Sequence, residues 1–427
     1  MRKKADIEKH ERKREDVRIG ADAGGATASA RAPGKWGKPA AIGMFVLLLA
    51  LVGVIHVMPM NGLIPVYEKL ASERFGQSVS IGAVHVALLP LPQIRFEQVS
   101  IGAEPRARFT AVRAVPELGS MFGDVKIFKS VELEGAVVPP AMLAGVLWGR
   151  PGSGQDLRIE RFAVRGLKTD FKGLALPPLN VDGTIAADGK VQGVNLSNAD
   201  KSLTGRLLVE TGGVKIELSS KSFQPLFGAG FAMDDFSAKG VLTADELSLS
   251  EFEAKVFEGY LNGNARLKWG AEWTLDGEVA MRLVEAAKLA PQFFSSGKLE
   301  GKGSYAMRSA DASALFASTR LEGNVKMEKG ALNKIDLTRL LQQSGSQSGG
   351  STLFSELNSG LLLDGGRLQM RNLRLSAGAM SASGTVDLAA TGEASGRLQV
   401  ELRSGSAQAR ASLVLSGNAR EGLVAKR

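Results

Sequence analysis

Residues 207–218 read LLVETGGVKIEL, and apolar residues recur at every second position on both sides of the glycine pair Gly212-Gly213. Successive side chains of a β-strand point to opposite faces of a sheet, so this spacing predicts two strands that each have one apolar face. A glycine pair between two such runs is typical of a tight turn. The segment therefore predicts an antiparallel hairpin that is apolar on one side and polar on the other.

The same two-residue rhythm recurs along most of the chain. Glycine supplies 51 of the 427 residues and aromatic residues only 6%, a balance that favours many turns and thin β layers. Asp-Gly or Asn-Gly pairs at 182–183, 188–189, 262–263, 276–277 and 364–365 also predict hairpin turns. We expect roughly eighteen to twenty antiparallel strands, and hence a mainly β fold.

Helical patterns are few and short. They cover residues 65–75, 117–122, 284–289 and 335–343, and residues 342–351 that follow the last of them are polar and glycine-rich, which predicts a flexible loop. These helices cannot cover so many strands, and a sheet with one apolar face left in water exposes hundreds of Å². The sheet must therefore fold on itself or hold a ligand.

The N-terminal residues have a different pattern. Residues 1–38 contain eleven Lys or Arg against six Asp or Glu, whereas residues 40–58, AAIGMFVLLLALVGVIHVM, carry no formal charge. A helix of about 19 residues measures roughly 28 Å, close to the ~30 Å hydrocarbon core of a bilayer. The basic residues precede this run, so the positive-inside rule predicts a single N-terminal transmembrane helix with a cytoplasmic tail. A cleaved signal peptide is the alternative, but it would have a shorter apolar core and a small-residue cleavage site.

The residues that carry most enzyme and metal chemistry are scarce. The chain has no cysteine, which excludes disulfides, thiolate ligands and cysteine nucleophiles. Its three histidines, His10, His56 and His85, fall in the tail, in the apolar run and in a predicted strand, so no two can meet at a metal. His85 stands between Val84 and Val86 and is expected on the solvent face. No phosphate-binding loop, dinucleotide fingerprint or nucleophile elbow occurs, and we predict no catalytic residue, no metal and no cofactor.

Glycosidase chemistry and nucleic-acid binding are two further functional classes to compare with the sequence. Carboxylates at Asp234, Asp235, Glu251, Glu253 and Glu258 could in principle pair as in a glycosidase, but surface charge explains them better. The basic residues beyond the apolar run are dispersed and lack interleaved aromatics, so nucleic acid is not an expected partner. An envelope hydrolase remains a minor hypothesis.

Two parts of the chain carry a family resemblance. Residues 63–102, LIPVYEKLASERFGQSVSIGAVHVALLPLPQIRFEQVSIG, place a short helix, a glycine, a Pro-x-Pro corner and a strand ending in Val-x-Ile-Gly behind the apolar run. Residues 321–342 and 352–402 form a second such order, of strand, short helix and strands. In this arrangement the chain resembles the AsmA family of inner-membrane-anchored periplasmic proteins. The matching positions are Gly76, Pro90, Pro92, Gly330, Asp336, Phe354, Leu357, Gly366, Gly384 and Asp387.

The resemblance implies an elongated, curled antiparallel β-sheet whose groove shields lipid acyl chains in the periplasm. It divides the chain into a basic cytoplasmic tail (1–39), a transmembrane helix (40–60), an AsmA-like N-terminal region (61–150), β-sheet repeats (151–320) and an AsmA-like C-terminal region (321–427). Strand alternation assigns the following side chains to the face of such a groove: Val209, Val214, Ile216, Leu218, Leu247, Leu249, Leu368, Met370, Leu398, Val400, Leu402, Leu413 and Leu415.

The function implied is non-enzymatic. The chain would be a single-pass protein of the bacterial inner membrane, with its bulk in the periplasm. Its groove would contribute to phospholipid transport and outer-membrane homeostasis, with phospholipid or another acyl lipid as its partner. The alternative is an anchored envelope scaffold or outer-membrane assembly factor that binds an envelope protein and carries no lipid. A closed core without lipid would favour that alternative.

Overall fold

The structure is a computed structural model and describes residues 61–87, 91–104, 106–142, 157–171, 174–210, 213–224, 230–342, 346–419 and 422–426, together with Met44 and Val46. Apart from those two positions, the described residues belong to one compact unit, Val54–Arg427. The predicted tail (1–39) and transmembrane helix (40–60) otherwise lie outside the described residues. Within the part described, no helix is long and apolar enough to cross a bilayer.

The described chain is mainly β, as the alternation predicts, and 24 of its strands form one long sheet. The strands of this sheet are β1 (Val79–Ser80), β2 (Ala83–Ala87), β3 (Gln93–Ile101), β4 (Ala107–Pro116), β5 (Lys126–Glu134), β6 (Leu157–Ile159), β7 (Arg161–Leu167), β10 (Leu179–Ile185), β11 (Val191–Asn198), β12 (Leu203–Glu210), β13 (Gly213–Phe223), β14 (Met233–Leu242), β15 (Glu246–Val256), β16 (Gly259–Lys268), β17 (Trp273–Glu285), β18 (Phe294–Ser309), β19 (Arg320–Asn333), β20 (Ser346–Ser348), β21 (Ser351–Asp364), β22 (Arg367–Ala377), β23 (Met380–Leu388), β24 (Ala394–Ser404), β25 (Ala407–Asn418) and β26 (Gly422–Lys426). A separate hairpin consists of β8 (Asp170–Phe171) and β9 (Leu174–Ala175).

The strands follow one another as a meander with one interruption. β5 is antiparallel to β4 but parallel to β6 and β7, and residues 135–156 supply the long connection that a parallel pair needs. From β7 the order runs through β10 to β19 and then from β21 to β26, with β20 beside β26. Among the described strands no pairing joins β1 or β2 to β20, so the sheet is open. The predicted regions of the chain meet at residues 150 and 320. Hydrogen bonds of the sheet join strands on the two sides of each position, since β5 pairs with β7 and β18 pairs with β19.

Alternation gives the sheet an apolar inner face and a polar outer face. In β13, Val214 and Ile216 are buried while Lys215 and Glu217 are exposed. The outer face carries ion pairs between neighbouring strands, such as Lys239 Nζ with Glu251 Oε1 at 2.8 Å. The two faces therefore differ in the way that the sequence predicts for a sheet wetted on one side.

β-bulges interrupt this alternation. The register shifts between Asp234 and Ser237, between Met281 and Val284, and between Met370 and Leu373. A residue with positive φ lies inside each of these shifts: Asp235 (46°), Leu283 (56°) and Asn372 (53°). A bulge bends its strand and increases the local twist, so repeated bulges allow a long sheet to curve.

The helices are short, as predicted, but their limits differ from the predicted ones. The helices are α1 (Ile64–Phe75), α2 (Ala286–Leu289) and α3 (Leu337–Gln342), and 3₁₀ turns cover Asn61–Leu63, Leu118–Phe122, Pro140–Met142, Ala312–Ala314 and Phe316–Ser318. Gly76 ends α1 in the left-handed conformation (φ 64°), which glycine adopts without a steric cost. The helix predicted at 117–122 is a 3₁₀ turn, and Val284 belongs to β17. The prediction of a flexible loop at 342–351 is wrong for Ser346–Ser348, because these residues form β20 and pair with β26.

Two helices cover parts of the inner face. At what we call the first packed end, α1 lies on β1–β4: the ring of Tyr67 meets Phe96 at 5.1 Å, and Ile81 N donates to Glu68 Oε1 at 2.8 Å. At the second packed end, the apolar side of α3 (Leu337, Leu340 and Leu341) packs with side chains of β21 and β23–β26 in one buried cluster. Both ends are closed by apolar contacts, and the middle strands lie between them in the order of the sheet.

Candidate functional site

The inner face of the middle strands lines a cavity of about 1080 Å³, which we call the groove. Its lining runs from β7 through β19 to β21 and consists mainly of aliphatic and aromatic side chains. Glu210 is the one charged residue among the described residues that line it, and its carboxylate is paired with Lys215 Nζ at 2.8 Å. Ligand pockets typically measure about 300–1,000 Å³, so this cavity has the volume for a large apolar ligand.

Six of the predicted groove residues lie in this lining. They are Val209, Val214, Ile216, Leu218, Leu247 and Leu249. They come from β12, β13 and β15 and occupy the inward positions of each strand. Leu208, one residue before Val209, is on the outer face with 38% of its surface exposed. Alternation in this part of the sheet therefore distinguishes the groove side from the water side.

Most of the other predicted groove residues lie elsewhere on the inner face. Leu398, Val400, Leu413 and Leu415 are buried in the cluster of the second packed end, against which Met370 and Leu402 are partly buried. Leu368 is half-buried on β22 and pairs with Leu363, which lines the groove. Apart from Leu368, these predicted residues lie on the same face of the sheet as the groove, but they belong to the cluster that also contains α3.

A segment that the sequence reasoning missed crosses the groove. We call residues 168–171 and 174–178, which contain the paired strands β8 and β9, the strap. It leaves the sheet at Leu167, which pairs with Leu179 of β10, yet the ring of Phe171 lies 5.5 Å from Trp269 and 5.8 Å from Trp273. Strands β10–β16 separate these two places in the sheet. The sheet must therefore bend until the strap can span its inner face.

The strap closes one part of the groove with apolar contacts. Leu174 is buried with Trp273, Leu275, Met307 and Leu315, and Phe171 packs against the same cluster. Thr169, Phe171 and Leu174 also line the cavity. In the sequence, only the presence of aromatic residues could have indicated this contact, because Phe171 and Leu174 do not belong to a long alternating run.

Loosening the strap is expected to change the environment of two tryptophans. A variant that combines Phe171→Ala with Leu174→Ala loses two edge-on aromatic contacts and a buried leucine, which we expect to destabilise the cluster by roughly 3 kcal/mol or more. Water should then reach Trp269 and Trp273, and the tryptophan emission should move to longer wavelength than in the wild type. The exposed Phe122→Ala is the matched control and should leave the emission unchanged. Equal spectra for both variants would show that the strap does not cover these rings.

Tyr305 shows how apolar the groove wall is. Its hydroxyl donates to the carbonyl oxygen of Asn264 at 2.9 Å, and its ring lines the cavity. Burial, with a smaller contribution from Asp276, raises the pKa of Tyr305 to about 12. A phenol that resists ionisation in this way lies in a medium that solvates charge poorly, so it acts here as a hydrogen-bonded wall residue.

His85 and the carboxylates considered as a catalytic pair do not lie together at the groove. His85 Nε2 lies 3.9 Å from Glu97 on the outer face, while the neighbouring Val84 is buried. Among the weighed carboxylates, Asp235 pairs with Lys255 at 2.7 Å, and Glu251 and Glu258 pair with lysines in the same way. Within the described residues, no three His, Asp or Glu side chains are grouped as metal ligands would be.

Several family-motif residues have structural roles. A side chain at Gly330 would collide with the ring of Phe354, and Leu357 is buried nearby in the same cluster. Gly384 lies so close to Arg397 O that a Cβ would overlap it. Pro90 lies outside the described residues, and Pro92 directly precedes β3.

The remaining motif residues stand at turns or carry charge. Asp336 Oδ1 accepts from Arg339 N at 2.9 Å at the start of α3, and Gly366 occupies a turn with φ 85°. Asp387 accepts from Arg367 Nε at 2.6 Å, and this hydrogen bond lowers the pKa of its carboxyl. Of these three residues, only Gly366 lines the groove.

Comparisons of the chain with protein-family models, with curated proteins and with solved structures find no match.

Proposed function

We propose that this protein is a membrane-anchored, non-enzymatic carrier that shields lipid acyl chains in the groove, and that it contributes in this way to phospholipid transport and outer-membrane homeostasis. The observation that carries the proposal is the groove itself: a cavity of about 1080 Å³ lined by an inner face that is almost wholly apolar. A phospholipid with its acyl chains in the groove and its headgroup in water matches the contrast between the two faces.

The energetics favour a long hydrocarbon ligand. Moving one methylene group from water into an apolar site contributes about 0.8 kcal/mol, so a chain of roughly sixteen carbons would contribute about 13 kcal/mol before the losses of entropy on binding. A water-filled groove would instead leave half-buried inward side chains of β12 and β15, such as Val209 and Leu249, in contact with water. The lipid would therefore stabilise the protein as well as be carried by it.

The cellular setting rests on sequence. The uncharged run at residues 40–58 and the basic tail before it support a single inner-membrane anchor with the sheet in the periplasm. The resemblance to the AsmA family supports the same setting and the same use of the groove.

Reporter fusions test this topology. A phosphatase that is active only in the periplasm should be active when it is joined after Gly102 and inactive when it is joined after Gly34, because the apolar run lies between the two sites. Enzyme activity in whole cells is the measurement, with immunoblots to show that both fusions accumulate. The reverse pattern would overturn the assignment.

Mass spectrometry of bound lipid tests the carrier function. The full chain, purified in detergent and exchanged into a lipid-free medium, should retain acyl lipid well above a mock purification from cells that lack the protein. If the wild type retains none above the mock, the carrier proposal fails and an anchored scaffold whose core binds no lipid becomes the better account.

A further inference from the structure

Two connections lie at one edge of the first strands. β3 begins at Gln93 beside the end of β2 at Ala87, and Ala114 near the end of β4 pairs with Ile94. The turn between β2 and β3 and the connection between β4 and β5 (residues 117–125) are therefore at the same end of these strands. We call this end the first-strand edge.

Helix α1 begins at the same edge. Tyr67, in its first turn, packs on Phe96 near the start of β3, whereas the end of α1 leads to Val79, which pairs with Ile101 at the far end of β3. The helix therefore runs away from the first-strand edge, and the 3₁₀ turn Asn61–Leu63 that precedes it lies at that edge.

The first-strand edge exposes large apolar side chains. Phe122 is 96% exposed, Leu91 62% and Leu118 60%, and Val66 in the first turn of α1 is also exposed. Single exposed apolar residues are common on protein surfaces, but a group of them at one edge marks a surface that meets something apolar.

We propose that the first-strand edge inserts Phe122 and Leu91 into the interfacial layer of the bilayer that holds residues 40–58. This inference rests on the anchor in the proposed function. Asn61 follows Met58 by three residues, which span at most about 10 Å. If residues 40–58 are anchored in the bilayer, the first-strand edge therefore begins at the membrane surface. Aromatic and leucine side chains on loops are the residues that enter that layer favourably. The bilayer is thus the occupant of this surface, and it fixes the first strands against the membrane.

Site-specific labelling can test the inference, because the chain has no cysteine of its own. The full chain carrying Phe122→Cys is labelled with an environment-sensitive fluorophore and reconstituted into phosphatidylethanolamine–phosphatidylglycerol vesicles. Leu353→Cys, at another exposed leucine on β21 with 75% exposure, is the matched control. A second test site, Leu118→Cys, guards against a local effect of the label at residue 122. Quenching by lipids with a spin label near the headgroup end of the acyl chain is then measured.

The labels at residues 122 and 118 should emit at shorter wavelength in vesicles and lose most of their fluorescence to the spin-labelled lipid, while the label at residue 353 should do neither. If the protein floats with the vesicles but residues 122 and 118 are not quenched, the docking surface is refuted and the anchor stands. Quenching at all three sites would also refute it, since the contact would not be specific to the edge. A protein that does not float with the vesicles overturns the anchor and this inference together.

Discussion

Val400→Asp is expected to unfold the second packed end, with a loss of several kcal/mol in the free energy of unfolding. Val400 is 1% exposed and lies in the cluster that also contains Leu340 of α3 and Leu413 of β25. A carboxylate there would be buried among hydrocarbon without a partner, and this is one of the few mechanisms that cost a protein that much. Thermal and denaturant unfolding of the full chain in detergent would measure the loss.

The neighbouring substitution Gln399→Asp is the control for Val400→Asp. Gln399 is exposed on the outer face and pairs with Ser383 and Ser412 of the adjacent strands, so an aspartate there remains in water. It should change the unfolding free energy by about 0.5 kcal/mol or less. Equal destabilisation by the two variants would mean that the second packed end is not closed as the structure has it.

Leu218→Asp is expected to remove bound lipid without unfolding the protein. Leu218 is half-buried, lines the groove from the middle of β13 and is not part of the second packed end. An aspartate at this position would place a charge against the acyl chain, so the lipid retained per protein should fall to a small fraction of the wild-type value. Phosphate analysis and mass spectrometry of the purified full chain give the ratio, and thermal unfolding shows whether the variant is folded.

Leu208→Asp makes the same chemical change on the adjacent strand but on the outer face. Leu208 lies opposite Lys215, so the new carboxylate would have water and a cation beside it. This variant should keep the wild-type amount of lipid. If folded Leu218→Asp retains as much lipid as Leu208→Asp, the acyl chains do not lie on the inner face of β13.

The period-two pattern was sufficient to predict the fold class but not the turns. In residues 207–210 and 213–218, each inward and outward position is where alternation places it. Three of the predicted turn pairs, at 182–183, 262–263 and 276–277, are wrong, because they lie inside β10, β16 and β17. The glycines of these pairs admit close neighbours instead: the ring of Phe162 covers Gly183, and Tyr305 and Asn264 crowd Gly277. A glycine needed for close approach looks like a glycine needed for a turn when only the sequence is known.

Alternation predicts which side chains lie on the inner face of the sheet, but it does not predict what covers that face. Val400 and Leu218 have the same local pattern, yet α3 belongs to the cluster around Val400 while the groove lies beside Leu218. The bulges add a second difficulty, because a bulge shifts the alternation by a residue, and in three of them a residue with positive φ, such as Leu283, lies inside the shift. The strap could not be predicted either, since Phe171 and Trp269 meet only after seven intervening strands have curved.

Crosslinking of lipid in living cells tests whether acyl chains occupy the groove. A photoreactive amino acid is placed at Leu249, which lines the groove, or at Leu208 on the outer face, in the full chain expressed in bacteria. After irradiation, the purified protein is analysed for covalently attached lipid. We expect phospholipid on the protein labelled at residue 249 and none above background at residue 208. Absence of lipid at residue 249, or equal amounts at both positions, would contradict the account that the groove holds acyl chains.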